Sequence, residues 1–335
     1  MKICGLWFLL LVSVASLLSA EAGVSAAGSG RLLVSVFLVR GSVSGSSTGA
    51  FGAFARNDAE TTWTKLTPSN VITFGLGFFV RGTTERIYVA GGNGVLRSSD
   101  GGRSWRILTS WNTMEILSVA PDPTDSATIL AATPWGVYKS TDDGASWIHK
   151  SRGMRRWFVQ KLLIDRRDPR IVYAAAEDGL YRSRNEGESW SRLQLPAEQI
   201  QAVAQNPTSP ENLAAVAEDR GIWISRDGGA RWMQCRELRQ ETMYALRFSP
   251  DGKDLYAAGW KTGLWRSRDG GETWERIWSD PAVEAVFDVV VNPGDPRHLL
   301  VGTDGQGLYE SPDQGATWHR AGLMGAKVKQ IEFIP

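Results

Sequence analysis

Residues able to do chemistry on their own are scarce in this chain of 335 residues. It has two cysteines, Cys4 and Cys235, and three histidines, His149, His298 and His319. Cys4 falls in an apolar leader, so the remainder keeps one thiol and no internal disulfide is possible. A thiol nucleophile would need a histidine beside it, and all three histidines occupy positions that read as strand. Cys235 therefore reads as inert. No Cys or His spacing matches a zinc site, and acidic pairs such as Asp122 and Asp125 are too sparse for a calcium loop. No phosphate-cradling glycine loop stands out either, so neither metal nor cofactor is expected. Charge of neither sign prevails: 37 basic residues face 36 acidic ones. That balance gives no global field toward nucleic acid or an anionic membrane, and no nucleic-acid partner is expected.

Long apolar runs are confined to the start. Lys2 supplies a positive charge, Ile3 to Leu18 form the run, and Ala20-Glu21-Ala22 reads as a small-x-small cleavage site. The run is too short for a comfortable transmembrane helix. Residues 1–22 are thus expected to be a signal peptide and residues 23–335 a secreted or periplasmic domain, with no membrane insertion after cleavage.

What the chain has in abundance is tryptophan at a fixed period. Trp63, Trp105, Trp147, Trp190, Trp232, Trp274 and Trp318 recur at intervals of 42, 42, 43, 42, 42 and 44 residues. Such a period means one structural unit copied around a ring or along a stack. Six of the seven close the pattern Ser-x-Asp-x-Gly-x-(Ser/Thr)-Trp, as in Ser98-Asp100-Gly102-Ser104-Trp105, with Asn185 and Arg231 as single departures. The copy before Trp63 keeps Asp58 and Thr62 but has Arg56 and Glu60 at the Ser and Gly positions. Within one copy, Ile116–Ala120, Thr128–Thr133, Gly136–Ser140 and Ser146–Lys150 are short runs rich in β-branched and aromatic residues, bounded by Pro, Gly or Asp. Those are strand signatures, and this density of Gly and Pro excludes helical repeats. Seven four-stranded units predict an all-β fold, a seven-bladed β-propeller. Val328–Pro335 matches a first strand with nothing after it, while Arg31–Val36 and Gly52–Arg56 match second and third strands. The C-terminal strand should therefore complete the N-terminal blade and close the ring. Residues 37–51 read as a long insertion in that blade, expected as a flexible loop.

The Asp of the motif should accept hydrogen bonds from backbone N–H groups two residues on, the Gly should supply positive φ, and the Trp should pack between sheets. Those roles are structural. Function should sit where the repeat is broken, on the face formed by the connections from second to third and from fourth to first strands. Trp111, Trp135, Trp157, Trp260 and Trp278 all fall there by sequence, with Arg155, Arg156, Arg236, Arg239 and Lys261 beside them. Exposed Trp mixed with Arg is the composition of an interaction hot spot. These ten are the candidate binding residues, for a macromolecular partner, protein rather than polysaccharide.

The repeated Gly-Val-Tyr-x-Ser-x-Asp-x-Gly-x-Ser-Trp unit resembles the Asp-box, or bacterial neuraminidase repeat (BNR), superfamily, over essentially the whole mature chain. In size and regularity the chain is most similar to the photosystem II assembly/stability factor-like group. The resemblance implies a non-enzymatic exported scaffold whose Arg-bearing face holds a partner protein. A carbohydrate-binding or glycoside-hydrolysing protein is the alternative. Against a sialidase, Arg86-Ile-Tyr, Arg106-Ile-Leu, Arg170-Ile-Val and Arg276-Ile-Trp all lack the proline of the usual Arg-Ile-Pro start. For a carboxylate-pair glycosidase, Glu177, Glu218 and Asp304 lie on the plausible face, but they recur at equivalent places in the blade.

Overall fold

The computed structural model describes residues 30–39, 51–58, 60–68, 71–109, 115–165 and 167–334. They form seven antiparallel sheets of four strands each. Blade 1 takes Ala326–Ile334 as its first strand, then Arg31–Val39, Gly52–Asn57 and Thr64–Lys65. Blade 2 runs Thr73–Arg81, Thr84–Gly91, Gly94–Ser98 and Arg106–Ile107. Blades 3 to 7 repeat the order from first strands Ser118–Pro121, Val159–Ile164, Ile200–Gln205, Met243–Phe248 and Val286–Val291. First strands of successive blades pack against one another all round, that of blade 1 touching both blade 2 and blade 7. The seven-bladed propeller read from the tryptophan period is the architecture found. Residues 1–29, which hold the expected signal peptide, lie outside the described residues.

Strand composition follows position in the ring. Second strands such as Val172–Ala176, Leu213–Ala217 and Leu299–Thr303 are buried at every residue, because each sheet is covered on both sides by its neighbours. Fourth strands form the outer rim; several, such as Ile148–His149, are only two residues long and exposed, which leaves little edge for unwanted pairing.

The motif turn joins third to fourth strands. Ser98 Oγ accepts the Gly102 N–H at 2.8 Å and donates to Asp100 Oδ1 at 2.7 Å; Asp100 Oδ1 accepts the Ser104 N–H at 2.9 Å. The carboxylate thus reaches four residues on, not two, because the serine hydroxyl has taken the nearer amide. Gly102 has φ 92°, and a Cβ there would lie 2.9 Å from Leu66 Cδ1 of blade 1. Reach of two residues belongs instead to the turn after the first strand, where Asp122 Oδ1 accepts the Thr124 N–H at 2.7 Å and Asn206 Oδ1 that of Thr208 at 2.9 Å. Each motif tryptophan from Trp63 to Trp190 donates its indole N–H to the preceding blade, Trp105 to Leu66 O and Trp147 to Leu108 O.

Ring closure is as the sequence implied, with one difference. Ala326–Ile334 pairs antiparallel with Arg31–Val39 from Arg31↔Ile334 to Val39↔Ala326. The second strand therefore runs three residues further than expected before residues 40–50, which lie outside the described residues. Across the seam, Trp63 donates to Ala321 O at 2.7 Å and Arg56 Nη2 to Glu310 Oε2 at 2.7 Å. The departure of blade 1 from the motif now has a reason: Arg56, 4% exposed, stands where other blades have Ser and makes the bond to blade 7. Burial alone would push the Glu310 carboxyl up, but hydrogen bonds from His298, Arg56 and His319, with the Arg56 charge, bring it down to about 2. His298 lies in the turn before the second strand of blade 7, not in a strand.

Candidate binding face

Alternation of strand direction puts the motif turns on one face and the connections from second to third and fourth to first strands on the other. On that second face the hairpin of blade 3 is tight. Thr133 Oγ1 donates to Gly136 O at 2.9 Å and accepts the Trp135 N–H at 3.0 Å, which leaves the Trp135 ring 53% exposed. His149, in the fourth strand opposite Tyr138, donates from Nε2 to Trp135 O at 3.0 Å. Its ring meets Tyr138 and Trp157 edge-on, each at 5.2 Å and 66°. Tyr138, His149 and Trp157 thus form one edge-to-face run, a favoured aromatic geometry. Trp157 is 51% exposed and Phe158 next to it 38%.

The same connection carries both arginines. Arg155 Nε lies 3.4 Å from Asp178 Oδ2, which also accepts from Tyr181 Oη at 2.7 Å; Arg156 Nη1 lies 2.8 Å from Glu177 Oε1. Their side chains remain 71% and 65% exposed, so these pairs add little stability and leave guanidinium donors facing solvent. Trp157 borders a groove of about 590 Å³ that also touches His149, Arg152, Met154 and Glu188. Arg156 borders another of about 480 Å³, with Glu177, Arg192, Glu198, Glu218 and Arg220.

The other predicted residues fall elsewhere. Arg236 and Arg239 are exposed in the connection from blade 5 to blade 6, with no ion pair among the described residues. Trp260, 39% exposed, and Lys261 follow the second strand of blade 6; Lys261 Nζ sits 5.6 Å from the Trp260 ring. Lys261 holds φ 56°, and its N–H binds Glu284 O at 2.6 Å, which pins the pair to the lead-in of blade 7. Trp111 lies outside the described residues. Trp278 is a correction. It ends the fourth strand of blade 6, is 9% exposed, and packs at 5.0 Å on Tyr309 and 5.3 Å on Trp318, so it is core between two blades and offers nothing to a partner.

Sequence reasoning missed Ile72, Phe158 and His149. Ile72, Trp135, Trp157, Phe158 and Trp260 are all exposed on this one face; among the other large exposed apolar residues, Ile107, Ile148 and Met233 line the outer rim and Val80 lies one residue before a strand end at the motif face. His149 could have been found from its register, since it sits opposite the third-strand aromatic. Of the acids open to a glycosidase, Glu177 is held by Arg156, Glu218 by Gln201 at 2.9 Å and Asp304 by Lys327 at 3.2 Å. The one cysteine among the described residues, Cys235, is 5% exposed, and burial pushes its pKa up, away from a nucleophile.

Residues 180–330 match the sequence model of the family described as photosynthesis system II assembly factor YCF48. No curated protein matches the chain in sequence. Among solved structures it is similar to YCF48 bound to D1 peptide, with 19% identity, TM-score 0.60, and 76% of this chain and 83% of that one covered. It is similar to YCF48 from Cyanidioschyzon merolae at 18% identity and TM-score 0.56, over 77% and 87% of the two chains. It is also similar to the GH74 xyloglucanase from Xanthomonas campestris, at 18% identity and TM-score 0.68, covering 83% of this chain but 52% of that one. This chain therefore spans about half the length of the xyloglucanase. At these identities the likeness carries the fold. The chain is a seven-bladed β-propeller, and its residues 180–330 are similar to the photosystem II assembly factor family.

Proposed function

We propose that this protein is an exported, non-enzymatic scaffold that binds a partner protein through the face bearing Trp135, Trp157, Arg155 and Arg156. The observation that carries this reading is the aromatic cluster on this face: Trp135, Trp157 and Phe158 are open there, with His149 joining Trp135 to Trp157. Scattered exposed apolar residues need no explanation, but a contiguous set such as Trp135, Trp157 and Phe158 marks an interaction surface. The rings supply rigid contact area, and the half-free guanidiniums of Arg155 and Arg156 supply donors for carbonyl or carboxylate groups. The match of residues 180–330 to an assembly-factor family, and a solved relative bound to a peptide, support protein as the ligand class. Export rests on the apolar leader of residues 3–18 and the Ala20-Glu21-Ala22 site.

The test is affinity capture from an envelope extract with the mature chain beside an Arg155/Arg156/Trp157 triple alanine, followed by direct titration of whatever is retained. A protein held by the first and lost by the second, with affinity that weakens as salt rises, is the expected result. Equal retention by both chains would remove this face from the function. Retention of polysaccharide, indifferent to salt, would replace the protein reading with the carbohydrate one.

A further inference from the structure

The inner ring carries a feature that the repeat does not require. Where the first strands begin, on the same face as Trp157, the register against the second strand slips by one residue. The extra residue is Phe74 in blade 2, Gln160 in blade 4, Gln201 in blade 5, Tyr244 in blade 6, Phe287 in blade 7 and Lys329 in blade 1. Such a bulge re-aims a side chain, and repeated round a propeller it builds a collar at the channel mouth. Three members of the collar touch across blades. The Tyr244 and Phe287 rings are 5.4 Å apart, and Lys329 Nζ stands 3.7 Å from the centre of the Phe287 ring.

Charge immediately around Lys329 does not balance. Lys327 Nζ lies 3.2 Å from Asp304 Oδ1 and 5.2 Å from the Phe287 ring. Lys329 has no hydrogen-bond acceptor or ion pair of its own among the described residues, so two ammonium groups share the single carboxylate of Asp304. Burial, with the like charge of Lys327, brings the Lys329 pKa down to about 8 against the opposing pull of Asp304. Glu218 and Asp219 lie toward Tyr244, where Gln201 and Thr242 donate hydrogen bonds to them without neutralising their charge. Deeper in the channel the contrast is plain. Arg247 is held by Asp288 Oδ2 at 3.4 Å and Glu332 Oε1 at 3.2 Å, and Lys161 lies in the field of the same two acids, so two cations meet two anions.

We propose that the channel mouth is a binding site for a carboxylate with an apolar or aromatic body, Lys329 taking the acid and the Tyr244–Phe287 pair taking the body. Around Lys329 itself two ammonium groups face one carboxylate, a local excess that matches a monoanion and favours a carboxylate over a phosphate, while Glu218 and Asp219 at the Tyr244 end leave that end suited to an uncharged body. The site does not rest on the partner-protein reading, because an acid free in solution and an acid at a chain end present the same group.

The test uses the full mature chain with its lysines converted to ¹³C-dimethyl-lysine, the Lys329 resonance being assigned by its loss in Lys329→Arg. Phenylacetate should shift that resonance saturably and raise its pKa by about one pH unit, as an opposite charge a few ångströms away does. Phenylacetamide should do neither, and Phe287→Ala should weaken phenylacetate several-fold while leaving acetate unchanged. No shift with phenylacetate, or an equal one with phenylacetamide, overturns the site. A peptide ending in a free phenylalanine carboxylate that binds more tightly than phenylacetate marks the chain-end source; the reverse ranking marks the free acid. Because Trp135, Trp157, Arg155 and Arg156 are not in the collar, their triple or single alanine variants should titrate normally here even where partner capture fails.

Discussion

Closure of the ring is the most direct quantitative consequence of the fold. Ile331 is fully buried, pairs with Val34, and shares a core with Leu32 and Phe54 of blade 1 and Val290 and Leu300 of blade 7. Ile331→Ala leaves a cavity on the seam between first and last blades and should cost about 2 to 5 kcal/mol. For a chain of this size that corresponds to a fall in Tm of roughly 3 to 8 °C. Deleting residues 326–335 removes Val328, Ile331, Phe333 and Ile334, all at most 6% exposed. At about 1.5 to 3 kcal/mol per buried side chain the loss is about 6 to 12 kcal/mol, comparable to the whole stability of an ordinary domain. The truncated chain should therefore be unfolded at room temperature, and a synthetic 326–335 peptide should restore part of the transition. Calorimetric melts would check this, with Ile107→Ala, at an outer-rim site 55% exposed, as the control expected to change little. A truncated chain that melts like the parent would show that the ring is held some other way.

Four further outcomes follow from the same geometry. Trp157→Ala should weaken partner binding by about 1 to 4 kcal/mol in a titration while leaving Tm nearly unchanged, and unaltered affinity would take it out of the interface. Trp278→Ala should do the opposite, lowering stability by about 3 to 5 kcal/mol with no loss of affinity in the folded fraction. At the seam, the folded pKa of Glu310 lies below the unfolded carboxylate value of about 4.3, so its contribution is complete above that value and lost as pH falls toward 2. Glu310→Gln should flatten the acid limb of a stability-against-pH curve, and a curve with unchanged slope would deny the coupling. Cys235 should resist a thiol reagent in the native state and react only as the chain unfolds; rapid native labelling would contradict its burial.

The fold was legible because its determinants repeat. Seven tryptophans on one period mean one copied unit, its four short strands make that unit a propeller blade, and the unmatched strand at Val328 had one place to go. The site was less legible, for reasons of register. Trp278 read as a loop residue because fourth strands such as that of blade 3 stop after two residues. That of blade 6 continues for four, with a shift between Leu264 and Trp265 that turns the ring inward onto Tyr309. His149 read as an ordinary strand residue because sequence does not show that its ring bridges Tyr138 and Trp157. The amide that the motif aspartate holds is not legible along the chain, because the serine hydroxyl that takes the nearer amide competes through space.

The bulge collar shows most sharply why repetition hides function. A bulge changes neither strand length nor hydrophobic content; it inserts one residue and reverses the alternation on one side of it. Read linearly, Met243-Tyr244-Ala245 and Val328-Lys329-Gln330 look like unremarkable strand starts. In the ring they place Tyr244 and Lys329 on either side of Phe287, on three consecutive blades. The backbone device is common to six of the blades while its side chains range from Phe to Gln to Lys. The scaffold therefore fixes where this position points and leaves open what stands there. A propeller with such a collar can change what its channel mouth recognises without touching the core that holds the ring together, and in this chain the variation has left one lysine facing an aromatic ring with no acid of its own.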